Sequence, residues 1–326
     1  MYQHLWENAT EILMIRQSNR WAVGAVIVIY FPEQEVLDRL LRALAAQVAY
    51  IAVVDNGAME STRTFLRGLA AEAPSLEILY QRQNVGLAAA HNIGIARMRT
   101  KGCSHILLLD QDSISAPDMV KKLLQACLQL QAKSKRVAAV GPGYQDPRTG
   151  HASFFVRFGW LRFKRIYCDH LDNTSIPVDF LISSGSLIPI ATLDHVGGMD
   201  ERLFIDHVDT EWFLRAASLG YRAYGIGEAR MEHSLGKGAA IRLWLGRWRH
   251  IAIHTPLRHY YMFRNSTLLY RRNYAPWKWI LSDLIRLILT FFFFLAVSPD
   301  RLEQGRMMLK GLWDGIKDNP DPRRSA

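Results

Sequence analysis

Over the first 145 residues the chain switches repeatedly between two kinds of hydrophobic pattern. "WAVGAVIVIY" (21–30), "YIAVVDN" (50–56), "LEILYQ" (76–81), "HILLLDQD" (105–112) and "RVAAVGPG" (136–143) are short apolar runs, several of them β-branched, and each predicts a buried strand. Between them, "EVLDRLLRALAAQ" (35–47), "STRTFLRGLAAEA" (61–73), "GLAAAHNIGIARMRT" (86–100) and "APDMVKKLLQACLQLQAK" (116–133) read as helices. Apolar strands alternating with helices imply an α/β fold, a parallel sheet covered on both faces. After Gly143 the alternation fades. Residues 147–172 are expected to form a loop or ribbon, "VDFLISSGSLIPI" (178–190) an irregular strand, and "DTEWFLRAASLG" (209–220) a helix closed by Gly220. No repeat and no long linker interrupts the order. The expected organisation is an N-terminal extension (1–20), one α/β domain (21–240) and a C-terminal helical region (241–326).

Composition sharpens this picture in the C-terminal third. The 326 residues are 49% hydrophobic and 21% charged, enough for a sizeable core. A formal net charge of +10 points to a polyanionic partner: nucleic acid, anionic lipid or nucleotide phosphates. The surplus is local, because residues 234–282 contain nine Lys and Arg and no Asp or Glu. Directly after them, "WKWILSDLIRLILTFFFFLAV" (277–297) is the longest apolar signal, interrupted by Asp283 and Arg286. A spanning helix needs about 20 mostly apolar residues with few charges. The pattern therefore favours an interfacial helix lying in the membrane over a single pass, with Trp277, Lys278 and Trp279 at headgroup level and the basic stretch against an anionic leaflet. A buried helix or an oligomer contact is the alternative. Three cysteines (Cys103, Cys127, Cys168) without metal-type spacing argue against a disulfide framework and fit a reducing cytoplasm. The first 20 residues carry Glu7 and Glu11 and no apolar core, so a signal peptide is not expected.

Candidate chemistry sits where the strands end. In open α/β sheets ligands bind outside the carboxyl ends of the strands, and Asp55, Asn84 and residues 110–113 fall there. Asp110-Gln-Asp112 drives a buried strand into two carboxylates that repel each other, so a positive charge should meet them. A hard divalent cation, Mg²⁺ or Mn²⁺, takes oxygen ligands and would stabilise a departing diphosphate. The alternative is a helix start, with Ser113 or Ser115 capping and the acids favoured by the dipole. A second acidic group, Asp206, Asp209 and Glu211 in "FIDHVDTEWFLR", offers a general base or, more plainly, first-turn helix acids. His233 in "MEHSLGKG" is either a metal ligand or a satisfied surface histidine. "NVGLAAAHNIG" (84–94) is neither a dinucleotide fingerprint nor a P-loop; its glycines suit a helix closely approached by a ligand or by the sheet.

Taken in order, these pieces resemble family 2 glycosyltransferases of the GT-A fold: a strand ending in Asp55, N-x-G twice over 84–94, D-x-D at 110–112, an acidic cluster ahead of Leu214-Arg215, and H-x-x-G at 233–236. "LLLDQDS", "FLISSG", "FIDHVDTEW" and "GLWDG" are similar to bacterial rhamnosyltransferases of O-antigen, cell-wall and rhamnolipid synthesis. The resemblance implies a mostly parallel central sheet, to which the basic and apolar tail adds a membrane-associating C-terminal helical extension, and inverting transfer of rhamnose from dTDP-L-rhamnose to a lipid-linked or glycan acceptor. It implies that Asp55 contacts the base and that Asn84 and Gly86 line the nucleotide pocket. Tyr30, Asn92, Asp110, Gln111, Ser184 and Gly185 complete the expected nucleotide-sugar set. It also implies that Asp110, Asp112 and His233 hold Mg²⁺ or Mn²⁺, and that Asp209 is the base. Val208 stands where the commoner E-D-x-D form has its first acid, so Asp206 and Glu211 remain rival bases. A nucleotidyltransferase would share D-x-D and the metal but release pyrophosphate. A nucleic-acid-binding protein would use Trp244, Trp248, Tyr260 and Tyr261 among the arginines; no recognisable module accompanies that charge, and nucleic acid is not an expected partner.

Overall fold

All five early apolar runs become strands in the computed structural model, which describes residues 21–145, 154–159, 163–167, 175–233, 238–242, 248–252 and 254–319. Strands β1 (Val23–Ile29), β2 (Tyr50–Asp55), β3 (Leu76–Tyr80) and β4 (His105–Asp110) are parallel, in the order β3-β2-β1-β4. Their register sets Ile29 beside Asp55 and Val28 beside Asp110, so these strands end together. Successive β1 residues point to opposite faces, and both faces are buried. Val23, Ala25, Ile27 and Ile29 pack under α1 (Gln34–Ala45), α2 (Glu60–Glu72) and α4 (Met119–Ala132). Val26 and Val28 pack under α3 (Leu87–Thr100). This double burial is why the strands read as continuous apolar runs.

Beyond β4 the sheet turns mixed. β10 (Leu187–Pro189) inserts antiparallel between β4 and β6 (Val137–Gln145), and β6 pairs in parallel with the long β11 (Arg222–His233). β9 (Ser175–Val178) flanks β11. The hairpin of β7 (Phe154–Phe158) and β8 (Phe163–Tyr167) falls within the expected ribbon. A second hairpin joins β12 (Gly238–Arg242) to β13 (Trp248–Ala252). Ser113 and Ser115, weighed above as helix caps, instead form β5 (Ser113–Ser115), which pairs antiparallel with the end of β11. The register sets Ser113 against His233, and that pairing carries the histidine to the D-x-D turn. Gly94 of α3 faces β1, and a Cβ there would collide with Val26. Its role in the 84–94 motif is close helix–sheet approach.

Two short helices, α5 (Ile190–Val196) and α6 (Val208–Ser218), lie between β10 and β11, and three longer ones come after β13: α7 (Pro256–Tyr270), α8 (Trp277–Val297) and α9 (Arg301–Lys317). Gly311 and Gly315 of the "GLWDG" segment meet the α7 backbone, where a Cβ on Gly315 would lie 2.6 Å from the Arg264 carbonyl. The glycines let two helices touch backbone to backbone. The structure corrects the reading of the C-terminal extension as basic. Helix α8 is apolar, and several of the preceding arginines are engaged by the protein itself. Arg264 donates to the carbonyls of Arg202 and Asn319, both at 3.0 Å, Arg271 to that of Ile316 at 3.0 Å, and Arg272 to Asp200 at 2.7 Å. Asn265, fully buried, donates to the carbonyls of Leu203 (2.7 Å), Ile205 (2.7 Å) and Asp206 (3.0 Å). The extension is thus a brace for the 202–206 loop. Trp244, the N-terminal 20 residues, Cys168 and Gly236 lie outside the described residues; Cys103 and Cys127 are buried free thiols.

Candidate active site

The carboxyl ends of β2, β1 and β4 open onto a cleft of about 710 Å³, a size typical of small-ligand sites. Each strand end contributes a different function. From β2, Asn56 donates through Nδ2 to Asn84 Oδ1 at 2.9 Å; Asn56 Oδ1 accepts from the Val85 amide at 2.8 Å and Asn84 Oδ1 from the Gly86 amide at 2.9 Å. From β1, the Tyr30 amide donates to Gln111 Oε1 at 2.7 Å, while Gln111 Nε2 donates back to the Tyr30 carbonyl at 3.1 Å. This reciprocal pair fixes the β4 turn against β1 and leaves the Tyr30 ring half-exposed at the cleft. Gly86 has φ +86°, and a Cβ would sit 2.5 Å from the Phe204 ring. Only glycine allows that approach, through which the Phe204 carbonyl accepts from the Leu87 amide at 2.6 Å and closes the start of α3.

Asp110, Asp112 and His233 converge in this cleft, with one ligand atom from each lying within 4.8 Å of the others. His233 Nδ1 stands 3.4 Å from Asp112 Oδ1 and 2.8 Å from Ser113 Oγ. Ser113 Oγ continues to Ser184 Oγ at 2.6 Å, which accepts from the Asp110 amide at 3.0 Å. The buried serine pair orients the imidazole and anchors the D-x-D turn, as outer-shell partners do at metal sites. Burial raises the Asp110 carboxyl, the His233 side chain lowers it and Asp112 raises it again. Two oxygen donors and one imidazole at this spacing, with one acid destabilised by burial, fit a hard divalent cation.

Asp209 occupies the first turn of α6 and lines the same cleft. Burial raises its carboxyl to about 6; amide hydrogen bonds from Thr210 (2.7 Å) and Ser183 pull it down, and the charges of Asp110 and Asp206 push it up. A base with that value is matched to neutral pH. The loop that delivers it is strained: Phe204, Asp206 and His207 have φ of 62°, 61° and 60°, left-handed values uncommon for side chains of their size. The α7 brace holds this conformation, with Arg258 bound to Asp206 at 3.2 Å and Ser266 Oγ 2.9 Å from His207 Nε2. Were Asp209 the base, it would act deprotonated, and its pKa is raised. Transfer should therefore lose rate below pH about 6 and level off above it; the kcat/KM–pH profile checks this, with the acid limb absent from Asp209→Asn.

Of the remaining expected site residues, Asp206 alone lines the cleft among those described. Glu211 is buried outside the cleft, its carboxylate held by Arg215 (2.8 and 2.9 Å) and the Tyr274 hydroxyl (2.6 Å). Asp206 lines the cleft, but as the partner of Arg258. Asp55 is fully buried: Oδ1 accepts from the Gly57 and Ala58 amides (3.0 and 2.6 Å) and Oδ2 from Arg63 (2.6 Å). Asn92 joins α3 to Met199 and Glu201 (3.0 Å each). Gly185, at φ +85°, packs on Pro142 behind the turn. Sequence reading missed Asn56, His207, His254 and Arg258, all of which line the cleft. Asn56 was available as the polar residue ending a buried strand; nothing local marks Arg258 or His254.

A strand-end acid pair with a histidine, in a cleft across three parallel strands, suits a nucleotide-sugar transferase of the GT-A fold. This chain belongs to glycosyl transferase family 2, whose model matches residues 25–185. It is similar to the dTDP-rhamnosyl transferase RfbF of Shigella flexneri, with 31% identity over 297 residues covering 90% of this chain and 95% of that protein. Among solved structures, GalNAc-T7 with UDP, GalNAc and Mn²⁺ matches with a TM-score of 0.58 and 13% identity over 93% of this chain; the match spans 57% of that longer protein. The mannosyltransferase PcManGT of Pyrobaculum calidifontis, in complex with GDP-Man and Mn²⁺, matches with a TM-score of 0.54 and 15% identity over 95% of this chain and 94% of that one.

Proposed function

We propose that the protein transfers L-rhamnose from dTDP-L-rhamnose, with inversion, to a hydroxyl of a lipid-linked or glycan acceptor in bacterial surface polysaccharide or glycolipid synthesis. The observation that carries the donor is the likeness to RfbF over nearly the whole length of both chains. The chemistry rests on the cleft. The Tyr30 ring and the Asn56–Asn84 pair, at the β1 and β2 ends, receive the nucleoside. Asp110, Asp112 and His233, one strand further, would hold Mg²⁺ or Mn²⁺. When bound, the ion supplies the positive charge that stabilises a leaving diphosphate. Asp209 accepts the proton of the acceptor hydroxyl, whose oxygen attacks the anomeric carbon from the face opposite the diphosphate. The carbon–oxygen bond to dTDP breaks and the configuration inverts. Arg258 neutralises Asp206, so that the neighbouring Asp209 carries the basic pair of electrons.

The apolar helix α8 supports work at the cytoplasmic face of the inner membrane, peripheral or monotopic, where a lipid-linked acceptor would be presented. A donor screen with purified protein, comparing dTDP-rhamnose, UDP-glucose and GDP-mannose in Mg²⁺ and in Mn²⁺, tests the reading. Release of dTDP from dTDP-rhamnose is expected in preference to the others. Turnover of a different sugar nucleotide alone would overturn the donor assignment; pyrophosphate release would overturn the reaction class.

A further inference from the structure

Helix α8 is amphipathic in the reverse sense from a helix on a water-soluble surface. Its polar residues face the protein. Asp283 is 1% exposed, accepts from the Tyr270 hydroxyl at 2.8 Å and pairs with Arg286 at 2.7 Å. Arg286 in turn reaches His207 Nε2 at 3.2 Å, at the start of the helix that bears Asp209. The opposite side carries Leu284, Ile288, Leu289 and Phe292, the last two each 65% exposed. Helix α9, which follows after three residues, repeats the arrangement. Gln304, Met308, Gly311 and Asp314 face inward, while Leu302, Leu309, Trp313 and Ile316 face out at helical spacing, Leu302 being 82% exposed. Around that outer stripe stand Arg301, Arg306, Lys310 and Lys317; the exposed acids are Glu303, which pairs with Arg306 at 3.4 Å, and Asp300 and Asp318 at the two ends of the helix.

We infer that α8 and α9 together form a monotopic docking surface for an anionic bilayer, with both helices lying along the membrane plane. This rests on the membrane-associated reading above and goes further in adding the second helix and naming the residues of the surface. A span through α8 would strip Asp283 and Arg286 from Tyr270 and His207 and place both charges in hydrocarbon, which is costly. Lying flat keeps the ion pair on the catalytic loop and buries only the outer face. Apolar side chains among lysines and arginines are the chemistry of an interfacial helix on anionic lipid; a large exposed apolar patch otherwise invites association. The same helix that enters the lipid thereby supports the loop of Asp209 from behind.

The test is flotation of the full-length protein with phosphatidylcholine vesicles with and without phosphatidylglycerol. Wild type should float with the anionic vesicles. Leu289→Glu with Phe292→Glu, and separately Leu302→Glu with Leu309→Glu, should each lower partitioning by about tenfold or more, since burying one such side chain is worth more than a tenfold step. Arg306→Gln with Lys310→Gln should weaken binding to anionic vesicles only. Donor hydrolysis in lipid-free solution should be unchanged in all three, which shows that they are folded and separates this inference from the sugar assignment. Wild-type flotation of the variants, or a soluble dimer that these substitutions dissociate, would overturn it.

Discussion

Asp209→Asn should lower glycosyl transfer by a factor on the order of 10³, within the range that general-base catalysis supplies, while binding of dTDP with a divalent ion stays near wild type. The asparagine keeps the size of the side chain and can still accept from the Thr210 and Ser183 amides, which now bond Asp209. It cannot take a proton from a hydroxyl. Because Asp209 lies on α6 and the D-x-D turn on β4, the substitution should leave the proposed ion and diphosphate subsites in place. Single-turnover rates and calorimetric titration with dTDP separate the two effects. Glu211→Gln is the informative control: its carboxylate braces Arg215 and Tyr274, so it should lower the melting temperature and leave the acid limb of the pH profile where it was.

The second large effect falls on the ion. Asp112→Asn, or removal of divalent metal with EDTA, should weaken dTDP binding and lower turnover by about a hundredfold or more, because ion–diphosphate charge stabilisation is worth several kcal/mol and each 1.4 kcal/mol is a factor of ten. Mn²⁺ or Mg²⁺ should restore the EDTA-treated enzyme and fail to restore Asp112→Asn at the same concentration. Ser113→Ala should show a milder version of the same defect. Ser113 fixes the His233 ring at 2.8 Å and is tied to Ser184, yet contributes nothing to the ligand cluster itself.

The central sheet was legible in the sequence because strands buried on both faces leave long apolar runs, and α/β alternation then fixes where ligands bind. Asp110, Asp112, Asn84 and Gly86 follow from that rule. What sequence could not show is partnership across distance. Ser113 resembles a cap, and its real partner is His233, brought to it by an antiparallel pairing with no local signature. The basic stretch after residue 234 resembles a surface patch, yet Arg258, Arg264 and Arg272 brace the loop between Asp200 and Asp206. Asp283 and Arg286 resemble flaws in a membrane helix, but their ion pair docks α8 onto His207. Asp55 and Glu211 sit at suggestive positions and are consumed by neighbouring arginines. In each case the residue type was readable and its use depended on a partner far along the chain.

The most direct test is diffraction from crystals grown with dTDP and Mn²⁺, with data collected at the manganese edge. An anomalous peak bounded by Asp110, Asp112 and His233, with the diphosphate on its open side and Asp209 facing the sugar position, is the predicted result. Manganese absent from that triad while nucleotide occupies a different part of the protein would contradict it.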